Sequence, residues 1–134
     1  MRKINLVSLR IITADIKRLI YFYEKATGIT AKWSTEDFAE IVTNSFTLAI
    51  GSIRTLAFFG EGVAQPAANK SVIIEFHVEN VDEDYERIKE LTTEIVQKPT
   101  TMPWGNRSLL FRDSDGNLIN FFTPISPPAI RKFA

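Results

Sequence analysis

The chain contains no cysteine, which removes disulfides, thiolate nucleophiles and zinc–cysteine sites together. Imidazole is nearly missing too: His77 is the single histidine in 134 residues, so no metal site here can rest on several imidazoles. Charge of one sign is also lacking. Sixteen Lys and Arg balance sixteen Asp and Glu, leaving no electrostatic footprint for nucleic acid or an anionic membrane. No stretch approaches the roughly 18 apolar residues of a membrane span, and the opening Met-Arg-Lys-Ile-Asn-Leu-Val-Ser-Leu-Arg reaches Arg10 before any run long enough for a signal peptide. The expectation is a cytoplasmic protein that touches neither membrane nor nucleic acid. What is present is ordinary: 45% hydrophobic and 24% charged residues, the composition of a folded globular domain. The length suits one domain, or two half-size modules sharing a core.

Internal similarity favours two modules. Ser8 to Ile16 aligns with Ile73 to Val81 at an offset of 65 residues, and each stretch runs into a helix-like segment. At the other end, Thr55-Leu-Ala-Phe-Phe59 resembles Leu118-Ile-Asn-Phe-Phe122 at an offset of 63. Nearly equal offsets imply duplicated modules of about 65 residues, and two facing modules would create a cleft.

Periodicity fills in each module. Residues 4–13 alternate as a strand, with Val7, Leu9, Ile11 and Thr13 on one side and Leu6, Ser8, Arg10 and Ile12 on the other. Asp15 is placed to cap a helix carrying Ile16, Leu19, Ile20, Tyr23 and Ala26 as an apolar stripe, and Gly28 is its stop. Strand-like runs follow at about 30–34, 38–43, 46–50 and 54–59. Residues 61–71, rich in Gly, Pro and Ala and without periodicity, form the linker. The second module, residues 72–124, begins with a strand over 72–78. Asn80 or Asp82 then caps a helix with Val81, Tyr85, Ile88 and Leu91 on its apolar side. Strands follow at about 95–98, 107–112 and 118–123, the last two joined through Asp113-Ser-Asp-Gly-Asn117 as a tight hairpin. Ser126-Pro-Pro128 is expected to end regular structure, leaving 125–134 as a tail. The plan is α+β, one domain of two βαβββ modules. The helix-facing strand residues are apolar, and the opposite faces carry Ser8, Arg10, Glu75, His77 and Asn120, which suits a wet or ligand-filled concavity.

At this point the chain resembles the vicinal oxygen chelate superfamily, which contains glyoxalase I, the bleomycin-resistance proteins and the extradiol dioxygenases. The carriers are Asp15-Ile through Phe22-Tyr-Glu-Lys25 to Gly28, Val78-Glu-Asn-Val-Asp82 with Tyr85-Glu-Arg-Ile-Lys89, and Pro103-Trp-Gly-Asn-Arg107 running into Phe111-Arg-Asp-Ser-Asp-Gly-Asn-Leu-Ile119. The resemblance spans most of residues 4–124. It implies two modules folded as a curved half-barrel cleft, and, in enzymatic members, one divalent metal held by His and Glu from the concave face. Carried over from the motif anchors, the four ligand positions fall on Ser8, Ile73, Ala57 and Asn120. Two are neutral, weak oxygens and two are no donors at all, so the expectation is that the family metal, and any other cofactor, is lost.

The candidate ligand-contacting residues are therefore Ser8, Arg10, Trp33, Ala57, Phe59, Ile73, Glu75, Trp104, Arg107, Asn120 and Phe122. His77 and Glu75 are weak candidates for a general base. Trp33 and Trp104 offer flat indole faces for stacking. Arg10 and Glu75 would bind a charged substrate or pair with each other. Arg107 could reach a ligand carboxylate or the Asp113/Asp115 turn. Phe59 and Phe122 occupy matching places in the two repeats and would form cleft floor or core. Asp113, Asp115 and Asn117 resemble a calcium loop only superficially, since the downstream bidentate Glu is missing. The expected function is metal-free binding of a small, partly aromatic molecule, as in the bleomycin-resistance branch. The alternative is a glyoxalase-type lyase or isomerase with an altered or absent metal site. A homodimer is expected, because open half-barrels leave unpaired edges.

Overall fold

The structure, a computed structural model, describes residues 2–134 and divides into two compact units, the first ending at Ala68 and the second comprising Asn69–Ala134. Each is a four-stranded sheet with one long helix, and the fold is α+β.

In the first unit, β1 (Ser8–Thr13) leads into α1 (Ile16–Thr27), followed by β2 (Lys32–Thr35), β3 (Phe38–Val42) and β4 (Thr47–Ser52). The sheet order is β1-β4-β3-β2, with β1 parallel to β4 and the other pairs antiparallel. Helix α1 starts where Asp15 Oδ1 accepts from the Arg18 amide at 3.2 Å. It stops at Gly28, whose φ of 74° is the left-handed conformation glycine adopts without a Cβ penalty. Leu19, Ile20, Tyr23 and Ala26 of α1 are buried, as are Ala39, Ile41, Leu48 and Ile50 of the strands. Burying each large apolar side chain is worth about 1.5–3 kcal/mol, and these residues form the module's core.

The second unit repeats the plan with β5 (Ile73–His77), α2 (Val81–Leu91), β6 (Ile95–Thr101), β7 (Asn106–Arg112) and β8 (Leu118–Pro124), in sheet order β5-β8-β7-β6. Asn80 caps α2, and Asp82, Glu83 and Asp84 fill its first turn, where negative charge complements the helix dipole. Its core joins Val81 and Ile88 to Ile74, Leu109, Phe111, Ile119 and Phe121. The Phe111 and Phe121 rings meet edge to face at 5.1 Å. In the β7–β8 hairpin, Asp113 Oδ1 accepts from the amides of Asp115 and Asn117, both at 2.9 Å, while Gly116 supplies the positive φ of 85°. The Asp113 carboxylate thus serves its own turn.

Two expectations are corrected. Residues 54–59 are not a strand: Ile53–Phe58 is a 3₁₀ helix. Ser52 Oγ accepts from the Arg54 amide at 3.2 Å, Thr55 Oγ1 donates to the Ser52 carbonyl at 2.7 Å, and Asp37 Oδ1 accepts from Ser52 Oγ at 2.7 Å. These local side-chain bonds give the backbone an alternative to a ladder, and β4 already has both its neighbours. The likeness of 55–59 to 118–122 is one of letters only. The tail is also not irregular. Pro127–Lys132 forms α3, capped by Ser126 Oγ accepting from the Ala129 amide at 3.2 Å. Its prolines stand where a helix has no amide to lose. Among the described residues no helix is long and apolar enough to cross a membrane.

Candidate functional site

Each sheet turns one face to its helix and leaves the other free of it, and register fixes which side chains share that second face. In the first module the rows are Ser8–Thr47–Val42, Arg10–Ala49–Glu40–Lys32 and Ile12–Gly51–Phe38. In the second they are Ile73–Leu118–Arg112, Glu75–Asn120–Leu110 and His77–Phe122–Ser108. Ser8 and Arg10 therefore share a face, as do Ile73, Glu75, His77, Asn120 and Phe122.

The register also re-indexes the repeat. Asn120 stands beside Glu75, and the residue standing likewise beside Arg10 is Ala49. Ala57, expected on the last strand of module one, instead lies in the 3₁₀ helix. Phe59 follows that helix while Phe122 lies within β8, so the two are not equivalent.

Arg10 is the centre of the first face. Its guanidinium carbon lies 5.0 Å from the Phe38 ring centroid and 5.5 Å from that of Phe59. Both distances are within cation–π range. Phe38 was not legible as a site residue, since only the pairing of β3 with β4 puts it opposite Gly51 and one row from Arg10. The 3₁₀ helix is what brings Phe59 there: it folds Thr55 back over Gly51, where an added Cβ would meet Thr55 Oγ1 at 2.8 Å.

On the second face, Asn120 Nδ2 donates to Glu75 Oε2 at 2.9 Å. Asn120 is 9% exposed, and its Oδ1 is buried with no hydrogen-bond partner. His77 stacks on Phe122 with ring centroids 5.6 Å apart and planes 10° from parallel, and Phe133, just past α3, meets both rings at 5.7 Å and 4.9 Å. Sequence reading missed Phe133 because it assigned no structure to the tail.

The remaining candidates lie elsewhere. Trp33 pairs with Ala39, a fully buried helix-side residue, so it stands on the opposite face from Arg10, 44% exposed at the edge strand. Trp104 occupies the β6–β7 turn and is 67% exposed. Arg107 reaches neither a ligand position nor the Asp113/Asp115 turn. Its Nε and Nη2 donate to the Asp82 carboxylate at 2.9–3.2 Å, tying β7 to the first turn of α2. That pairing holds the Asp82 carboxyl below its ordinary pKa, chiefly through the Arg107 hydrogen bonds.

The donor set at the inherited positions does not fit a divalent metal. Ser8 and Asn120 offer neutral oxygens, Ile73 none, and neither Ala57 nor Ala49 has a donor. Among the described residues no three His, Asp or Glu side chains converge on one point.

Two βαβββ modules in tandem, each with a parallel β1–β4-type pair and a helix on one face, define a known family. The family model described as Glyoxalase/Bleomycin resistance protein/Dioxygenase superfamily matches residues 4–121, and the chain belongs to that superfamily. It is similar to the uncharacterized protein YraH of Bacillus subtilis (strain 168), 27% identical over 124 residues that cover 88% of this chain and 97% of the other. Among solved structures it is similar to a glyoxalase/bleomycin resistance protein/dioxygenase from Nocardioides, with TM-score 0.76 at 19% identity, covering 95% of this chain and 87% of that one. It is also similar to a glyoxalase/bleomycin resistance protein/dioxygenase family enzyme from Burkholderia phytofirmans PsJN, with TM-score 0.79 at 14% identity, covering 91% and 100%. At these identities the structural matches establish the fold.

Proposed function

We propose that this protein is a cytoplasmic, metal-free binder of a small, partly aromatic molecule, akin to the bleomycin-resistance branch of its superfamily. The observation that carries the reading is the replacement of the inherited ligand set by Ser8, Ile73, Asn120 and an alanine, on faces that hold other binding chemistry. The first face presents Arg10 beside the Phe38 and Phe59 rings, with Glu40 and Lys32 farther along its row, and the second presents the Glu75 carboxylate and the Asn120 amide, with Arg112 one row away. Apolar walls with a few oriented polar groups are what a small-molecule site requires. A balanced net charge argues against a strongly cationic ligand. Metal analysis of the protein purified without chelator tests the reading, together with native mass spectrometry for a co-purified molecule. Far less than one equivalent of metal per chain is expected, and stoichiometric nickel, zinc, iron or manganese would overturn it.

A second reading, an enzyme, draws on the same strand. Asn120 orients the Glu75 carboxylate at 2.9 Å, and a positioned carboxylate on a solvent-facing strand can serve as a general base, with His77 next on that face. Turnover of the methylglyoxal–glutathione hemithioacetal, with and without added nickel or zinc, separates the two. A rate abolished by Glu75→Gln favours the enzyme, and absence of turnover favours the binder.

The functional unit in this proposal is a homodimer. Each sheet is open, with two edge strands, and β2 is exposed along its whole length. Sedimentation at micromolar concentration should give twice the chain mass, and a strictly monomeric mass would remove the dimer.

A further inference from the structure

We propose that Arg10, held against the rings of Phe38 and Phe59, binds the carboxylate of a planar aromatic acid. The inference rests on the small-molecule-binding reading and names the ligand class for the first module's face.

An arginine with a structural role generally spends its donors on oxygen acceptors, a carboxylate or a backbone carbonyl. Arg10 is exposed, and among the described residues of its own module its side chain makes neither a hydrogen bond nor an ion pair; the contacts its guanidinium has there are with the two aromatic rings. The acid on its face, Glu40, lies two strands away, roughly 9–10 Å at ordinary strand spacing. Lys32 stands directly beside Glu40 in register, so that carboxylate has its own cationic neighbour. The contrast with Arg54 and Arg107 is informative. Arg54 is bound by Asp37 at 2.6 Å, and Arg107 donates to Asp82 with two of its nitrogens.

The rings use none of the guanidinium's ordinary hydrogen-bonding capacity, because a phenyl ring carries no oxygen or nitrogen acceptor. All five N–H donors lie in the plane of the group and point outward along its edge. That edge matches a carboxylate, which it binds through two parallel charge-assisted hydrogen bonds. Aromatic neighbours also limit the rotamers of the long side chain, so less freedom is lost when a ligand docks. Next to Arg10, β4 carries Ala49, which keeps the floor low. Phe59, 63% exposed, offers open ring surface for stacking a flat apolar body beside the carboxylate. An anionic head and a flat ring are the two features this arrangement selects.

Calorimetric titration of the full chain with 1-naphthoate and with its neutral isostere 1-naphthamide tests the assignment. Naphthoate should bind at least about tenfold more tightly, since only it can take the charge-assisted pair. Its affinity should fall as ionic strength rises while that of naphthamide stays level. Arg10→Met should reduce naphthoate binding about tenfold or more and naphthamide binding much less, since the amide offers a single neutral acceptor oxygen. Arg10→Lys, which keeps the charge and loses the planar fork, should fall between. Equal affinities for the two probes in the unaltered protein would overturn the carboxylate assignment and leave a small-molecule binder. Undiminished naphthoate binding in Arg10→Met would do the same. Absence of saturable binding by either probe would overturn this assignment, and the broader reading is then decided by native mass spectrometry for a co-purified molecule.

Discussion

Asn120 donates from Nδ2 to Glu75 Oε2 at 2.9 Å across two parallel strands, and its own Oδ1 is left buried with no partner. Asn120 stands at a position where the family resemblance implies a metal ligand, and Glu75 lies two residues past Ile73, the other such position in this module. An orphaned buried acceptor costs about 1–3 kcal/mol, so removing it offsets the loss of the Nδ2–Glu75 bond, whose exposed carboxylate can bond water instead. Asn120→Leu should therefore change folding stability by less than about 1 kcal/mol. Asn120→Asp is different, because it sets two carboxylates against each other. The folded-state pKa of one must rise, so the variant gains stability as pH falls and loses it as pH climbs through that raised value. Urea unfolding at neutral and mildly acidic pH should show Asn120→Asp weaker by about 1–2 kcal/mol at pH 7 and recovering toward the unaltered protein in acid. A pH-independent deficit would remove the like-charge explanation.

Arg107 and Asp82 make a second measurable pair. Arg107→Met should cost about 0.5–1 kcal/mol at neutral pH, the upper range for a bidentate pair of which both members are partly solvated. Because Asp82 is held below its ordinary pKa by Arg107, the stabilisation is present above the unfolded carboxyl value and is lost as pH falls through the folded one. The difference in urea midpoint between the unaltered protein and Arg107→Met should accordingly shrink in acid. A constant difference would mean that the arginine acts through packing alone.

Gly105 should not tolerate alanine. Its φ is 96°, and an added Cβ would lie 1.9 Å from Ser126 Oγ, the atom that caps α3. The Gly105 carbonyl also accepts from the amides of Ile125 and Ser126. Gly105→Ala should cost about 2–3 kcal/mol, and loosening α3 should move the His77 and Phe133 ring resonances, since those rings now meet. Gly28→Ala, where nothing crowds the added methyl, should cost only about 1 kcal/mol. Equal losses at the two sites would count against the Ser126 contact.

Trp104 stands out at a turn, two-thirds exposed, so Trp104→Ala should alter stability by less than about 0.5 kcal/mol. A planar ligand that quenches Trp104 emission and loses affinity in the variant would draw the β6–β7 turn into the site. Unchanged binding would confine recognition to the sheet faces.

The sequence by itself determined the elements that local chemistry decides. Asp15 and Gly28 bound α1 because one side chain can accept a free amide and the other residue has no Cβ to clash at positive φ. Asp115-Gly116 closes the β7–β8 hairpin for the same kind of reason, and the 65-residue offset between Ser8 and Ile73 does join equivalent strands. Alternation correctly separated Arg10 and Ser8 from the helix-side residues, since strand period is a property of the backbone. What only the tertiary structure decided was strand pairing. Thr55 to Phe59 carries strand-like letters, yet β4 already lies between β1 and β3, and the Ser52 and Thr55 hydroxyls offered the backbone a helical turn instead. That one outcome moved the counterpart of Asn120 from Ala57 to Ala49, separated Phe59 from its supposed twin Phe122, and brought Phe59 to Arg10, while the β3–β4 pairing brought Phe38 there. Trp33 fell on the helix side and Arg107 turned to Asp82 for a like reason. Which face a residue shares, and which acid an arginine meets, depends on partners far away in the chain, and no local pattern encodes them.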